Sequence, residues 1–331
     1  MDLTVGGDPV SGLPARTDGK NGTAYDSSCA GPLNDPNGVD PEGVVTDPRD
    51  NSLWISEEYL PSVMHVSKDG EILSRIIPAG PLSIAAPGLG VPSTAAFPAI
   101  VGSKFRTNRG FEGVAISPDG NTLYTLLQSA MQNPGSGMNF SRGVRVFKLD
   151  ISDPDNPSLL EEWAYRLDGR SDSAATRDRR ISALVYAGVD KLIVEERDDV
   201  VPETDFTTLY LADFTSATDI KGTVWDNPLT SPTLEEKFFL AGETTTYGPG
   251  GNSCATIMGV TPGCKSVWFD VAGALDAAGL VNGKIEGVAV VQPGKKSAID
   301  PSKSATVAVL NDNDFNVGGG MIDSKLDTLE K

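Results

Sequence analysis

The sequence predicts an all-β fold, a single β-propeller over residues 1–331 with five or six blades, six favoured, and an atypical or incomplete first blade. Three observations predict it. Apolar residues come in short runs, Gly and Pro are plentiful at 36 and 23, and one strand–turn–strand layout recurs along the chain. Short apolar runs between Gly- and Pro-containing turns suit many short strands rather than long helices.

Four segments carry the recurring layout. The first runs Glu42-Gly43-Val44-Val45, turns at Asp47–Asp50 and returns through Leu53 to Glu58. The second runs from Phe111 to Ile116, turns at Pro118–Asn121 and returns through Leu123 to Gln128. The third runs from Ile181 to Tyr186, turns at Gly188 and returns through Leu192 to Asp198. The fourth runs from Ile285 to Val290 and, after a longer turn, from Val307 to Asp314.

The pitch is regular: Glu42 to Glu112 is 70 positions, and Glu112 to Ser182 is another 70. A second hairpin follows in each of the first two units, with Val63–Val66 and Ile72–Ile77 in one and Val144–Leu149 and Leu160–Leu167 in the other. Four antiparallel strands per repeat, set around an axis, form a propeller blade. A sandwich would not impose this pitch, and a parallel β-helix has much shorter coils. Outside the repeats, 1–34 is a weakly structured N-terminal segment and 317–331 a C-terminal tail. Residues 215–283 are irregular apart from a helix-like stretch at Val271–Leu280.

The net charge is −18, from 45 acids against 27 bases. Nucleic acid is excluded as a partner, because binding it relies on Lys and Arg neutralising phosphates. A membrane span is excluded too, since no stretch approaches the roughly 18 apolar residues it needs. The opening residues lack an apolar export segment, so the chain reads as intracellular or as the mature form of an exported protein. Cys254 and Cys264 flank a Gly/Pro-containing loop and could close a small disulfide, which would imply an oxidising compartment. Cys29 has no evident partner. His65 is the one histidine and reads as a packed strand residue, so triads and histidine-rich metal sites have at most one candidate. Chemistry here falls to carboxylates, arginines or a metal.

In a hairpin, the start of the first strand and the end of the second lie at the same end. Glu42 then neighbours Glu57, Glu112 neighbours Leu127 or Gln128, Ser182 neighbours Glu195, and Glu286 neighbours the run Asn311–Asp314. If the hairpins radiate around an axis, these groups ring one mouth of a channel. The connections at that end are long (Pro78–Asn108, Ser129–Gly143, Asp168–Arg180), as binding loops on a rigid scaffold tend to be. Two unit charges ~4 Å apart repel by about 4 kcal/mol at an effective dielectric of ~20, so converging carboxylates call for a cation or for protonation. An all-oxygen donor set favours Ca²⁺, with Mg²⁺ or another divalent cation as alternatives. The competing role for these glutamates is to cap strand ends on backbone N–H groups. Arg109 and Arg197 beside the acids, with Arg142, Arg170, Arg177, Arg179 and Arg180 in loops on the same face, suit capture of an anionic ester.

The segments DPEGVVTDPRDNSLWISEEY (40–59), NRGFEGVAISPDGNTLYTLLQSAM (108–131), ISALVYAGVDKLIVEERDD (181–199), KIEGVAVV (284–291) and VLNDNDF (309–315) resemble the phytase-like family of propellers with esterase-like activity. The resemblance implies an exported, secreted or periplasmic propeller with acidic metal ligands and phosphoester hydrolysis. It implies Glu42, Glu57, Glu112, Glu195, Glu286 and Asp312 as metal ligands. The expected function is calcium-dependent hydrolysis of a phosphate mono-, di- or triester, with Glu112 or Glu195 as general base and Arg109 and Arg197 on the phosphate. The alternatives are a carboxylesterase or lactonase on the same site, and a non-catalytic, calcium-stabilised binding propeller. The expected partner is a small anionic substrate, with no nucleic acid and no membrane.

Overall fold

The computed structural model describes residues 2–11, 37–80, 90–168, 179–198, 206–240, 254–280, 284–292, 299–312 and 326–330, with the backbone alone described at 240, 311–312 and 326–330. β1 (Thr4–Val5) and β2 (Asp8–Pro9) form a small hairpin. A first sheet contains β3 (Pro41–Thr46), β4 (Leu53–Glu57), β5 (Ser62–Val66), β6 (Ile72–Pro78) and β7 (Ser93–Phe97) in chain order. Its last pairing, β6 with β7, is parallel. A second sheet takes β8 (Phe111–Ile116), β9 (Thr122–Leu127), β10 (Gly143–Asp150) and β11 (Ser158–Arg166).

A third sheet takes β12 (Arg180–Gly188), β13 (Lys191–Arg197), β14 (Thr207–Asp213) and β15 (Cys264–Asp270). A fourth takes β16 (Lys284–Val291), β17 (Thr306–Asp312) and β18 (Leu326–Glu330). In every sheet each strand neighbours the next in sequence, and all of these pairings but β6 with β7 are antiparallel. β18 lies in the stretch expected to be a C-terminal tail, and it pairs with β17 instead.

The four recurring hairpins start the four sheets, and their first strands adjoin in order: β3 beside β8, β8 beside β12, β12 beside β16. All four line one cavity of about 320 Å³, with walls that include Val44, Ala115, Leu184 and Val288. Sheets that radiate from a shared axis make the architecture propeller-like. Among the described residues four such sheets are seen, against the five or six blades expected, and they do not close a ring. The core lies between neighbouring sheets. Phe97, Phe111 and Phe147 pack with ring centroids 4.5–5.6 Å apart between the first two sheets. Ile193, Leu209, Trp268, Ile285 and Val307 pack between the third and fourth.

Polar links complement this packing. Asp47 holds Arg49 through two oxygens at 3.0 and 2.7 Å and also accepts from Trp54 Nε1 at 3.1 Å. Arg49 then donates to the carbonyls of Ile151 and Ser152 on the second sheet. The sole histidine is buried as expected, stacked on Trp54 at 4.5 Å with Nε2 at 2.9 Å from Ser52 Oγ.

The irregular 215–283 stretch contains two short helices and β15. Helix α2 (Leu234–Leu240) follows α1 (Ala99–Lys104) in chain order and opens on a capping box, with Thr233 N donating to Glu236 Oε2 and Glu236 N donating to Thr233 Oγ1. Helix α3 (Val271–Ala277) fills most of the helix-like stretch and starts where Asp270 accepts the Gly273 N–H. This insertion is anchored by Arg145, which is buried against Glu162 (2.6 Å), Asp226 (3.1 Å) and Glu235 (3.2 Å). Cys254 and Cys264 form the anticipated disulfide. Cys29 lies outside the described residues.

Adjacent inner strands touch at glycine. A Cβ on Gly43 would stand 2.6 Å from the Glu112 carbonyl oxygen, and one on Gly113 would stand 2.6 Å from Leu184 Cβ and 2.7 Å from its backbone N. No side chain fits without moving the next sheet. Gly113→Val should therefore cost about 1–3 kcal/mol, the range for overpacking. Gly137→Ala, where nothing lies within 4 Å, should change little. Denaturant unfolding of both variants checks this, and equal midpoints would disprove the contact's importance.

Candidate acidic site at one end of the axis

Each recurring hairpin carries one extra residue on its inner strand. Pro41 pairs with Glu57, but Val44 pairs with Ile55. The same step occurs between Phe111 and Val114, between Ile181 and Leu184, and between Ile285 and Gly287. These β-bulges fall on Glu42-Gly43, Glu112-Gly113, Ser182-Ala183 and Glu286. A bulge bends its strand and re-aims the extra side chain.

The bulge changes the cross-strand partners that simple counting predicts at two hairpins: Glu42 meets Glu58 rather than Glu57, and Ser182 Oγ meets Arg197 Nε, at 2.7 Å, rather than Glu195. Glu112 accepts a hydrogen bond from Gln128 Nε2, one of its two expected partners. A one-residue slip in a strand turns a side chain to the opposite face. Glu57 accordingly points away from Glu42 and accepts the N–H groups of Asp40 (3.1 Å), Tyr59 (3.1 Å) and Leu60 (2.6 Å). That is the strand-capping role weighed against metal binding.

Asp40, Glu42 and Glu58 each offer an oxygen, and the three oxygens lie within 4.8 Å of one another. Burial and mutual repulsion suppress their ionisation. Asp40 is pushed up to about 6, chiefly by burial. Glu58 rises to about 7 through burial and Asp40, against the pull of Arg109 and Arg180. Glu42 rises to about 9 through burial, Glu58, Asp40 and Glu286. Glu112 is fully buried and raised well above the usual range by desolvation, Glu42 and Glu58.

On the third sheet, Glu195 is buried and raised to about 8, chiefly by desolvation. Neither of its oxygens has a hydrogen-bond partner of good geometry among the described residues, although the Ala183 N–H eases its ionisation. Arg197 pairs with Glu286, and Lys284 Nζ lies 3.1 Å from the same carboxylate. Arg109 reaches Glu58 Oε1 at 3.4 Å. Arg179 packs over Phe206 at 3.0 Å, and Arg142 donates to the Leu167 carbonyl at 2.6 Å. Asp312 ends β17 opposite Lys284, with only its backbone described. Arg170 and Arg177 lie outside the described residues.

Glu42, Glu112 and Glu286 thus gather where their inner strands begin, and the apolar cavity sits further along the same strands. Among the described residues, Asp40 and Glu58 are the members of the three-carboxylate cluster that strand counting misses. The EE doublet at 57–58 is a visible signal for Glu58, but which of the two faces the axis depends on the bulge.

A propeller-like β protein with a carboxylate cluster at one end of its axis is the class that fold and site define. The chain belongs to the phytase-like family, described as "Esterase-like activity of phytase", whose profile matches residues 14–315. An uncharacterized secreted protein of Arthroderma benhamiae is 34% identical over 140 residues, 39% of this chain and 27% of that protein. The chain therefore spans about a quarter of that relative's length.

Among solved structures, the Cps50 (Swd1) β-propeller domain of Myceliophteria thermophila aligns at 8% identity and TM-score 0.34, over 88% of this chain and 72% of that one. Kuenenia stuttgartiensis hydrazine synthase aligns at 16% identity and TM-score 0.25, over 57% and 55%. Likeness at this level carries no weight for the site.

The raised carboxylates fix a pH dependence. Without metal the folded state binds protons that the unfolded chain has already released, so stability falls as pH rises. In EDTA, the unfolding free energy should decline from about pH 5 to about pH 9, the window set by Asp40, Glu58 and Glu42. Excess calcium should flatten that decline. Urea titrations across the range check it, and an EDTA profile that rises with pH would contradict the charge balance described.

Proposed function

We propose that this protein is a calcium-dependent hydrolase of phosphate esters, with the cation held by Asp40, Glu42 and Glu58. The observation that carries the reading is that oxygen cluster, short of positive charge, in a chain of the phytase-like family. A bound divalent cation supplies charge neutralisation at the phosphoryl group and a lowered pKa for its water. Glu112, beside the cluster, would be favoured in its carboxylate form by the same cation. That carboxylate would take the proton from the attacking water, with Glu195 as the alternative base on the third sheet. Arg109 and Arg197, poised on Glu58 and Glu286, share their N–H donors with the ester's phosphate. Glu286 keeps Arg197 and Lys284 at the mouth, and Asp312 completes the fourth hairpin's contribution.

The scaffold in this proposal is a closed propeller of five or six blades, and the Cys254–Cys264 disulfide supports an exported, oxidised protein. A second reading, a structural calcium in a non-catalytic binding propeller, is favoured by the near-complete burial of Glu58 and Glu112.

A hydrolysis screen over phosphate mono-, di- and triesters and aryl carboxylesters, with calcium and with EDTA, separates the readings. Phosphate-ester turnover that EDTA abolishes and calcium restores is expected. Turnover of carboxylesters alone would move the protein to the carboxylesterase reading. A calcium-dependent rise in melting temperature with no turnover would establish the binding propeller.

Within an active enzyme, Arg109→Ala should weaken binding of an anionic ester by ~1.5–3 kcal/mol, the worth of a charge-assisted hydrogen bond. It should leave a neutral aryl ester nearly unaffected. Equal KM changes for both substrates would show that Arg109 only neutralises Glu58.

A further inference from the structure

Away from the axis, the third sheet encloses a second group of reactive side chains. Glu196 points to the opposite face from Glu195 and Arg197, toward the second sheet. There Lys265 of β15 places Nζ against Glu196 Oε1 and 2.9 Å from Asp168 Oδ1, just beyond the end of β11. Lys265, Asp168 and Glu196 have side-chain exposures of 4%, 8% and 0%. Two tyrosine rings cover the nitrogen, Tyr210 at 4.2 Å and Tyr165 at 4.9 Å. Tyr165 OH donates to Glu196 Oε1 at 2.6 Å, the Asp168 N–H to Glu196 Oε2 at 2.9 Å, and Tyr210 OH to Asp168 Oδ2 at 2.5 Å.

A buried amine between two carboxyl groups under aromatic cover is the arrangement in which an amide can form without outside help. In water, an ammonium and a carboxylate remain a hydrated ion pair. Burial removes that hydration, and the fold holds the reacting atoms together and so removes the entropic barrier of their meeting. The two acids differ in what they receive. Glu196 takes three donors, one of them a backbone N–H, and its contact with Nζ places it to move protons. Asp168 receives the Tyr210 hydroxyl on the oxygen remote from Lys265, which draws charge away from its carbon.

We propose that Lys265 and Asp168 become joined by an intramolecular isopeptide bond, formed with the help of Glu196. Glu196 takes a proton from the Lys265 ammonium, and the freed amine attacks Cγ of Asp168. The Nζ–Cγ bond forms and the Cγ–Oδ1 bond breaks. Oδ1 leaves as water with the two protons that Nζ gives up, one of them carried by Glu196, which ends as the carboxylate it began. Ammonium and carboxylate become amide and water, and no oxidant, reductant or further reagent enters. The bond fastens the outer edge of the third sheet to the end of the second, one residue from the Cys254–Cys264 disulfide.

The test is the intact mass of the purified full chain, reduced and denatured, followed by tryptic mapping. The expected chain is lighter than its sequence by one water. It should yield a branched peptide joining Asp168 to Lys265 and show no cleavage after Lys265. Glu196→Gln should have its full sequence mass and be cut after Lys265. Wild-type protein of full mass, cut after Lys265, overturns the proposal, and so does a water loss that maps to another pair. A linked Glu196→Gln protein would overturn the role given to Glu196. If that variant does not fold, the wild-type mass and peptide map still decide whether the bond exists.

Discussion

The arrangement of the sheets depends on a steric constraint at the places where one inner strand meets the next. Gly43 lies against the Glu112 backbone and Gly113 against that of Ala183 and Leu184, at distances no Cβ tolerates. Those glycines share a bulge with the glutamates before them. The step that lets neighbouring sheets close up therefore also turns Glu42 and Glu112 toward the axis. Ser56 reinforces it, accepting the Gly43 N–H at 2.9 Å and donating to the Glu112 carbonyl. Packing and acid placement follow from one local geometry, which is why Glu and Gly recur together.

That coupling puts electrostatics and packing in opposition. Bringing the sheets together collects Asp40 and Glu42, half-buried, with Glu58 and Glu112, buried, and each is driven toward its neutral form. Arg109, Arg197 and Lys284 offset part of the repulsion from within the chain. In the scaffold, by contrast, the buried Arg145 guanidinium faces three carboxylates. That network sets its carboxylates on one guanidinium, whereas at the axis acids outnumber bases and three of them lie against one another.

Much of this was legible in the sequence, because repeats and strand periodicity depend on neighbours along the chain. The four hairpins, the gathering of Glu42, Glu112 and Glu286, the packed His65 and the 254–264 disulfide can all be read from spacing. What could not be read depends on a single inserted residue or on distant partners. Without the bulge, Glu57 appears to face Glu42. With it, Glu58 does, and Glu57 caps the backbone. Asp40 precedes its strand and carries no periodic signal. The parallel strand β7, the Arg145 network and the enclosure of Lys265 arise from contacts across long separations, which no local pattern encodes.

The burial of His65 has a practical consequence for spectroscopy. The chain has one imidazole, stacked on Trp54 and held below its usual proton affinity by desolvation. Its ring-proton resonances would form a single, ring-current-shifted set with no overlap from other histidines. That set reports on the packing of the first sheet alone. Because desolvation lowers the proton affinity of this imidazole, its titration should lie below the range usual for histidine. One proton spectrum recorded against pH would then show whether a change at the axis travels outward into the sheet or stays where it began.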